Sequence, residues 1–370
     1  MAIFTDESPV REAPRRGSTW FGWVLIAIAM LSIAAIALVP SPYVIEQPGP
    51  VYNVLGSVDA GKGEVPLIDI PGEKTYESAG SLDMLTVSIV GNREKRVNWF
   101  DTALAWLDPS KAVVPIESIY PEGETVEQSN AETEAQMTSS QQDAIAAALT
   151  ELDYPVKTLI TAGQVAKGSP AASVLKAGDV ITRVNDVAVT DEASLRDAVV
   201  ANGVDKALSM DIVRGTAKQT VSMTPVLSDA DKPVPVIGIV IGNAFTFPVT
   251  VTIQLKDVGG PSAGQMFALG IIDKLTPGSL SGGADVAGTG TITEDGTVGP
   301  IGGIRQKMFG AVRAGADYFL APESNCNEVT GHVPEGLTVF AVSTLDQSMT
   351  ALKALAAKAD TSALPTCPAS

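Results

Sequence analysis

The run from Trp20 to Val39, 20 residues without a charged side chain, constrains this chain more than any other feature. As a helix it is about 30 Å long, enough to cross the hydrocarbon core of a bilayer. Arg11, Arg15 and Arg16 precede it. The positive-inside bias then leaves residues 1–19 in the cytoplasm, makes 20–40 a transmembrane helix and puts the rest on the extracytoplasmic side of the cell membrane. Trp20 and Trp23 at one end and Tyr43 at the other suit interfacial positions. A cleaved signal peptide is the competing reading, because residues 35–37 read Ala-Ile-Ala. That site lies inside the apolar run, which exceeds a signal-peptide core of about 7–15 residues, so a retained single-pass anchor is expected.

A formal net charge of −17 repels phosphate backbones, which argues against nucleic acid as a partner. The single histidine, His332, excludes two-histidine metal sites. Residues 56–63 approach a phosphate-binding loop, but Gly63 stands where a Ser or Thr hydroxyl must reach magnesium, and no apolar helix follows. Neither a cofactor nor a metal is expected. The two cysteines, Cys326 and Cys367, fall in the part assigned to an oxidising compartment. A disulfide between them would pin the tail 356–370 onto the last domain; two buried thiols are the alternative.

Between the apolar run and the middle of the chain, residues 41–155 carry short β-branched runs (51–55, 65–70, 85–90) broken by Gly and Pro. A polar, acidic stretch over 121–140 follows, and helical spacing of Ala144, Ala147, Ala148 and Leu152 makes 139–152 a helical linker. Residues 156–226 form a self-contained block. Strands at 180–184 and 187–189 flank a tight turn at Asn185 and Asp186, a helix capped by Thr190 or Asp191 follows, and a hairpin around Arg214 and Gly215 closes it. The order Gly-Ser-Pro-Ala-Ala (168–172), Leu-Lys-Ala-Gly-Asp-Val-Ile (175–181), Val-Asn (184–185) resembles a PDZ domain of the bacterial HtrA-like kind. The resemblance implies capture of a peptide as an added strand, but no carboxylate-binding loop precedes Val156.

Two further motifs carry chemistry. Residues 247–255 have strand propensity and lead into Gly260-Pro261-Ser262-Ala263-Gly264, after which an apolar helix runs to about Leu275. Ser262 thus sits at a turn opening a helix, where free backbone N–H groups can face developing negative charge; equally, Ser262 and Gln265 have the spacing of a capping box. Downstream, Pro300-Ile301-Gly302-Gly303-Ile304 opens a helix whose apolar face carries Ile304, Met308 and Ala311, with Lys307 at its edge. A lysine buried there would lose affinity for its proton, as a base for a serine hydroxyl must.

Together these segments, with Ala-Gly-Thr-Gly-Thr-Ile-Thr at 287–293 between them, resemble the proteolytic domain of Lon proteases. The resemblance implies a serine endopeptidase domain over 240–355, with Ser262 as nucleophile, Lys307 as its base and Thr289 beside the pair, positioned to orient Lys307. Many Lon proteins carry an acid three residues before the serine; here it is Gly259. No nucleotide-binding module is present, so ATP-independent cleavage of unfolded or exposed protein segments is expected. Lon-type domains often assemble as rings, so the resemblance also raises a homo-oligomer.

The fold expectation is therefore α+β: transmembrane helix, β-rich segment, PDZ domain and Lon-type domain. The enzymatic rival is a Ser-His-Asp hydrolase, in which Gly260, Ser262 and Gly264 form a nucleophile elbow with His332 and Asp285 or Asp317. The non-enzymatic rival is a surface scaffold or chaperone, against which the presence of both Ser262 and Lys307 counts.

Overall fold

A computed structural model describes residues 19–59, 61, 63–256 and 258–368. Arg11, Arg15, Arg16 and Lys62, on which expectations above rest, lie outside the described residues. The chain divides into two compact units, the first holding residues up to 47 and 89–126, the second 48–88 and everything from 127.

The first unit opens with α1 (Thr19–Leu38), whose window Trp20–Ala37 is apolar and long enough to cross a membrane and is nowhere buried in the protein. β1 (Tyr43–Asn53) follows, and in this unit its residues 43–46 pair antiparallel with a strand at Ala112–Pro115. Ahead of that strand lies α2 (Trp99–Trp106), capped by Asn98, whose side-chain oxygen accepts from the Asp101 N–H. Ile45, Val97, Ala105 and Val113 form the small core.

In the second unit, strands alternate with helices to build a sheet covered on both faces. β1 pairs with β2 (Ser81–Val90), and the order continues through β3 (Asp285–Gly288), β4 (Tyr318–Pro322) and β5 (Thr338–Val342). From β2 to β5 all pairings are parallel, with Met84 opposite Gly288 and Leu320 opposite Phe340. A parallel sheet buried on both sides reads as continuous apolar runs, as at Val286-Ala287 and Phe319-Leu320-Ala321. Met84, Val286 and Leu320 face a core shared with α3 (Val126–Glu151), α5 (Gly264–Leu275) and α7 (Leu345–Ala356). Leu85, Ala287 and Phe319 face the other way, onto α6 (Ile304–Ala314).

Segment 41–155 is accordingly no separate β-rich region. Its residues 48–88 and 127–155 supply two strands of the large sheet, the short strand Ile68–Asp69 and a helix to the same core as Phe267 and Phe340. The linker helix starts at Val126, well before 139, because its polar first half can face water while Met137 and Ala144–Leu149 are buried.

A second sheet occupies the stretch between α3 and α5. Strands Ala217–Met223, Leu208–Arg214, Val180–Val184, Lys157–Val165 and Ile239–Thr246 lie in that order, around a core that includes Ile181, Leu195 and Met210. Its helix α4 (Glu192–Asn202) is capped by Asp191 in a reciprocal box with Ser194. Here the structure departs from the boundaries read from sequence: strand 239–246 pairs along its length with 157–165, so the small domain runs past 226 to 246. Only Thr252–Ile253 of the expected 247–255 strand forms.

Candidate active site

Three backbone segments converge at Ser262. The loop 259–262 is held from one side by α3, where Thr133 O accepts from Gly260 N (2.8 Å) and Ser140 Oγ donates to Pro261 O (2.8 Å). From the other side Gly290 N (2.9 Å) and Thr289 Oγ1 (2.9 Å) both donate to Ser262 O. Gly260 adopts φ +84°, a conformation costly for any residue with a Cβ. The departure at Gly259 also has a steric reason, since a Cβ there would come within 2.7 Å of the Thr133 hydroxyl.

Ser262 is not a cap. α5 begins at Gly264 with Ala263 at the cap position and no side-chain hydrogen bond there. Gln265 turns inward instead, its Nε2 donating to Ser348 Oγ (3.0 Å). In the first turn of α5 Gln265 N donates to Gly290 O (3.1 Å), while no side chain caps the remaining N–H groups of that turn.

Lys307 comes from the first turn of α6, placed there by Gly303 in the left-handed region (φ +68°). Its loop is fixed by Asn325, which accepts from Ile301 N (2.9 Å) and donates to Ile301 O (2.9 Å). Lys307 Nζ donates to Ser262 Oγ at 2.7 Å and to Thr289 Oγ1 at 2.9 Å. Thr289 is fully buried and Lys307 is 3% exposed; among the described residues no carboxylate forms an ion pair with the amine. Burial without a counter-charge lowers its pKa from 10.5 to about 7.

Ser262, Lys307 and Thr289, drawn from three motifs, therefore meet at one point. His332 does not join them: it is exposed and its ring Nδ1 lies 2.9 Å from Thr330 O. Asp285 and Asp317 are exposed too. Cys326 and Cys367 are bonded to each other, and the tail adds a hydrogen bond from Ala341 N to Pro365 O (2.9 Å). What the motifs did not reveal is the wall of the cleft, about 350 Å³, in which Ser262 and Lys307 sit: Pro50, Tyr52, Met84, Thr86 and Met137 come from segments 120 or more residues upstream of the serine, with no local pattern to mark them. Asn325 was equally silent.

A serine hydroxyl touching a buried amine with no counter-charge is chemically suited to nucleophilic attack, and comparison with known proteins points to a serine-type peptidase. Residues 254–355 match the sequence profile of the Lon protease (S16) C-terminal proteolytic domain, and residues 137–224 that of the PDZ domain. Lon protease 2 of Herpetosiphon aurantiacus is 45% identical over 91 residues, which cover 24% of this chain and 11% of that protein. Lon protease 1 of Bacillus subtilis is 41% identical over 91 residues, covering 24% and 12%. The matched stretch is thus only about a tenth of the length of these relatives. Among solved structures, the PDZ domain of the SdrC-like protein from Listeria monocytogenes aligns at 24% identity over 22% of this chain and 85% of that one, with a TM-score of 0.21. The chain contains a PDZ domain and a Lon-type serine peptidase domain.

Proposed function

We propose that this protein is a membrane-anchored, extracytoplasmic endopeptidase that cuts unfolded or exposed protein segments without ATP. The observation that carries the reading is the 2.7 Å contact between Lys307 Nζ and Ser262 Oγ, in a buried setting that lowers the amine's pKa to about 7 so that a neutral fraction is present at that pH.

In the proposed reaction neutral Lys307 takes the Ser262 hydroxyl proton as Oγ attacks the scissile carbonyl carbon. Negative charge gathers on the carbonyl oxygen, which the N–H groups at the start of α5 receive. Lys307 then gives its proton to the departing amine as the peptide bond breaks, leaving an ester on Ser262. Water attacks that ester, Lys307 taking its proton and returning it to Ser262 Oγ. Thr289 is a positioning residue: its hydroxyl accepts from Lys307 and donates to Ser262 O, fixing the amine relative to the nucleophile's own backbone.

Substrate delivery falls to the PDZ domain. Strand 239–246 ends its sheet, and a groove of about 550 Å³ runs between that strand and α4, lined by Leu195, Val199, Ile237, Ile239 and Ile241. Ala171 N and Ala166 N already bond Ile237 O and Gly238 O, while Gly238 sits at φ +76°. That leaves the N–H groups of 237–239 as candidates for a terminal carboxylate. In this reading the carboxylate-binding loop lies at 237–239, leading into the domain's last strand, and not before Val156.

The test is cleavage of an unfolded reporter by the full chain in detergent, without nucleotide. Ser262→Ala and Lys307→Ala are expected to be inactive and His332→Ala fully active; cleavage that survives Lys307→Ala in a preparation free of other proteases sinks the dyad.

A further inference from the structure

The chain has four tryptophans, and their distribution is uneven. Trp20 and Trp23 stand near the N-terminal end of α1, and Trp99 and Trp106 at the two ends of α2. α2 is fastened to the point where α1 ends. Trp99 N donates to Val39 O (3.2 Å), Ser41 N to Val97 O (2.7 Å), and Pro40 forms a bridge with Asn98.

A surface helix normally turns polar residues outward. α2 buries Thr102 and Ala105. At roughly 100° per residue the opposite face carries Phe100, Ala103, Leu104 and, just past the helix end, Leu107, with Asp101 on a flank. Phe100 is 47%, Leu104 51% and Leu107 81% exposed, and Trp106 beside them 57%. Tyr43, Trp99 and Trp106 form a ring cluster with centroids 5.7–6.3 Å apart. Tryptophan and tyrosine concentrate where hydrocarbon meets water, and helices with an apolar face lie in that layer.

We infer that α2 is a second membrane contact, its outward face seated in the interfacial layer of the bilayer that α1 spans. This rests on reading α1 as a membrane span. Lipid is the occupant because backbone hydrogen bonds hold α2 at residue 39, where the span ends, so this face stays at the bilayer surface. The tryptophans then bracket the span at both sides, as interfacial anchors do. Lys95 and Arg96, both exposed and just ahead of the helix, supply positive charge for lipid phosphates.

The test uses the full chain in vesicles of phosphatidylcholine and phosphatidylglycerol carrying a quencher at shallow or deep positions on the acyl chain. The double variant Trp20→Phe, Trp23→Phe retains only the α2 tryptophans; Trp99→Phe, Trp106→Phe retains only those of α1. The first is expected to show blue-shifted emission, quenched about twofold more by the shallow than by the deep label. If the α1 tryptophans are quenched and those of α2 are not, the inference is overturned while the anchor stands. If neither pair is quenched, the anchor itself is wrong and the inference goes with it.

Discussion

Asp179 in the PDZ domain and Lys307 in the peptidase domain are both taken almost completely out of water, and their surroundings treat them in opposite ways. Asp179 is 1% exposed, but Arg214 Nε donates to its Oδ1 (2.7 Å), Arg214 Nη2 reaches Oδ2, and Lys176 N adds a third donor (2.8 Å). Hydrogen bonding from Arg214, above all, holds that carboxyl below the ordinary range. Lys307 is 3% exposed and meets two hydroxyls; with no charge to answer its own, it surrenders its proton near pH 7. One buried ion is compensated and so holds a fold together. The other is left uncompensated, which weakens the fold and, in the proposed reaction, makes a base.

The contrast breaks most visibly at Lys307 itself. Lys307→Met is expected to lower kcat/KM by at least about a thousandfold on an unstructured peptide, because an unassisted serine hydroxyl is a poor nucleophile. The same variant is expected to melt higher than wild type at pH 6, where wild type must bury an ammonium or strip its proton on folding. A melting curve that falls instead would mean the lysine is compensated by something unseen, and the comparison would collapse.

Arg214→Met is the mirror experiment. It leaves buried Asp179 with the Lys176 N–H but without its guanidinium, and Val174 O without the donor Arg214 gave it, and the PDZ domain is expected to lose roughly 5 °C or more in melting temperature. Cleavage of a short peptide should stay within about twofold of wild type, since the pair touches nothing at the dyad. Equal loss of peptide cleavage would show that the two domains share one stability. Thr289→Val removes the one hydroxyl that accepts from Lys307 and donates to Ser262 O, while preserving shape. A drop of about ten- to a hundredfold in kcat with KM little changed, recovered by Thr289→Ser, is the expected result.

How much of this could be seen in the sequence divides along the same lines. Ser262 and Lys307 stand out in glycine-rich motifs 45 residues apart because each needs a local backbone device, a tight turn and a left-handed glycine. The blocks of the PDZ domain are local too, hairpin and capped helix. The sheet behind the dyad is not: Met84 pairs beside Gly288 in parallel across some two hundred residues, with the whole PDZ domain between them, and such pairing leaves no periodic trace in either strand. Strand 239–246 falls almost wholly in the range 240–355 expected for the peptidase domain, since its apolar residues suit either neighbouring domain and only its partner at 157–165 decides. Polar residues early in α3 hid a helix whose solvent face they are.

The gentlest test is pH, and it sets the two buried groups directly against each other. In the proposed reaction peptide cleavage requires neutral Lys307, so with a pKa of about 7 the competent fraction, and kcat/KM with it, is expected to fall about tenfold from pH 8 to pH 6. The unfolded amine keeps its proton up to about 10.5, whereas the folded one sheds it near 7, so the folded state binds fewer protons in that window. Stability from this residue therefore climbs as pH rises from 7 to 10.5, and its cost is fully present below 7. Asp179 has the opposite placement: its folded value lies below 3.8, so its contribution is complete above that value and is lost as acid titrates the folded carboxyl. Chemical-denaturation midpoints across pH 6–10 should show a slope in wild type that Lys307→Met removes and Arg214→Met keeps. A wild-type activity profile flat down to pH 5.5 would mean that the amine is neutral for a reason other than burial, or that it is not the base.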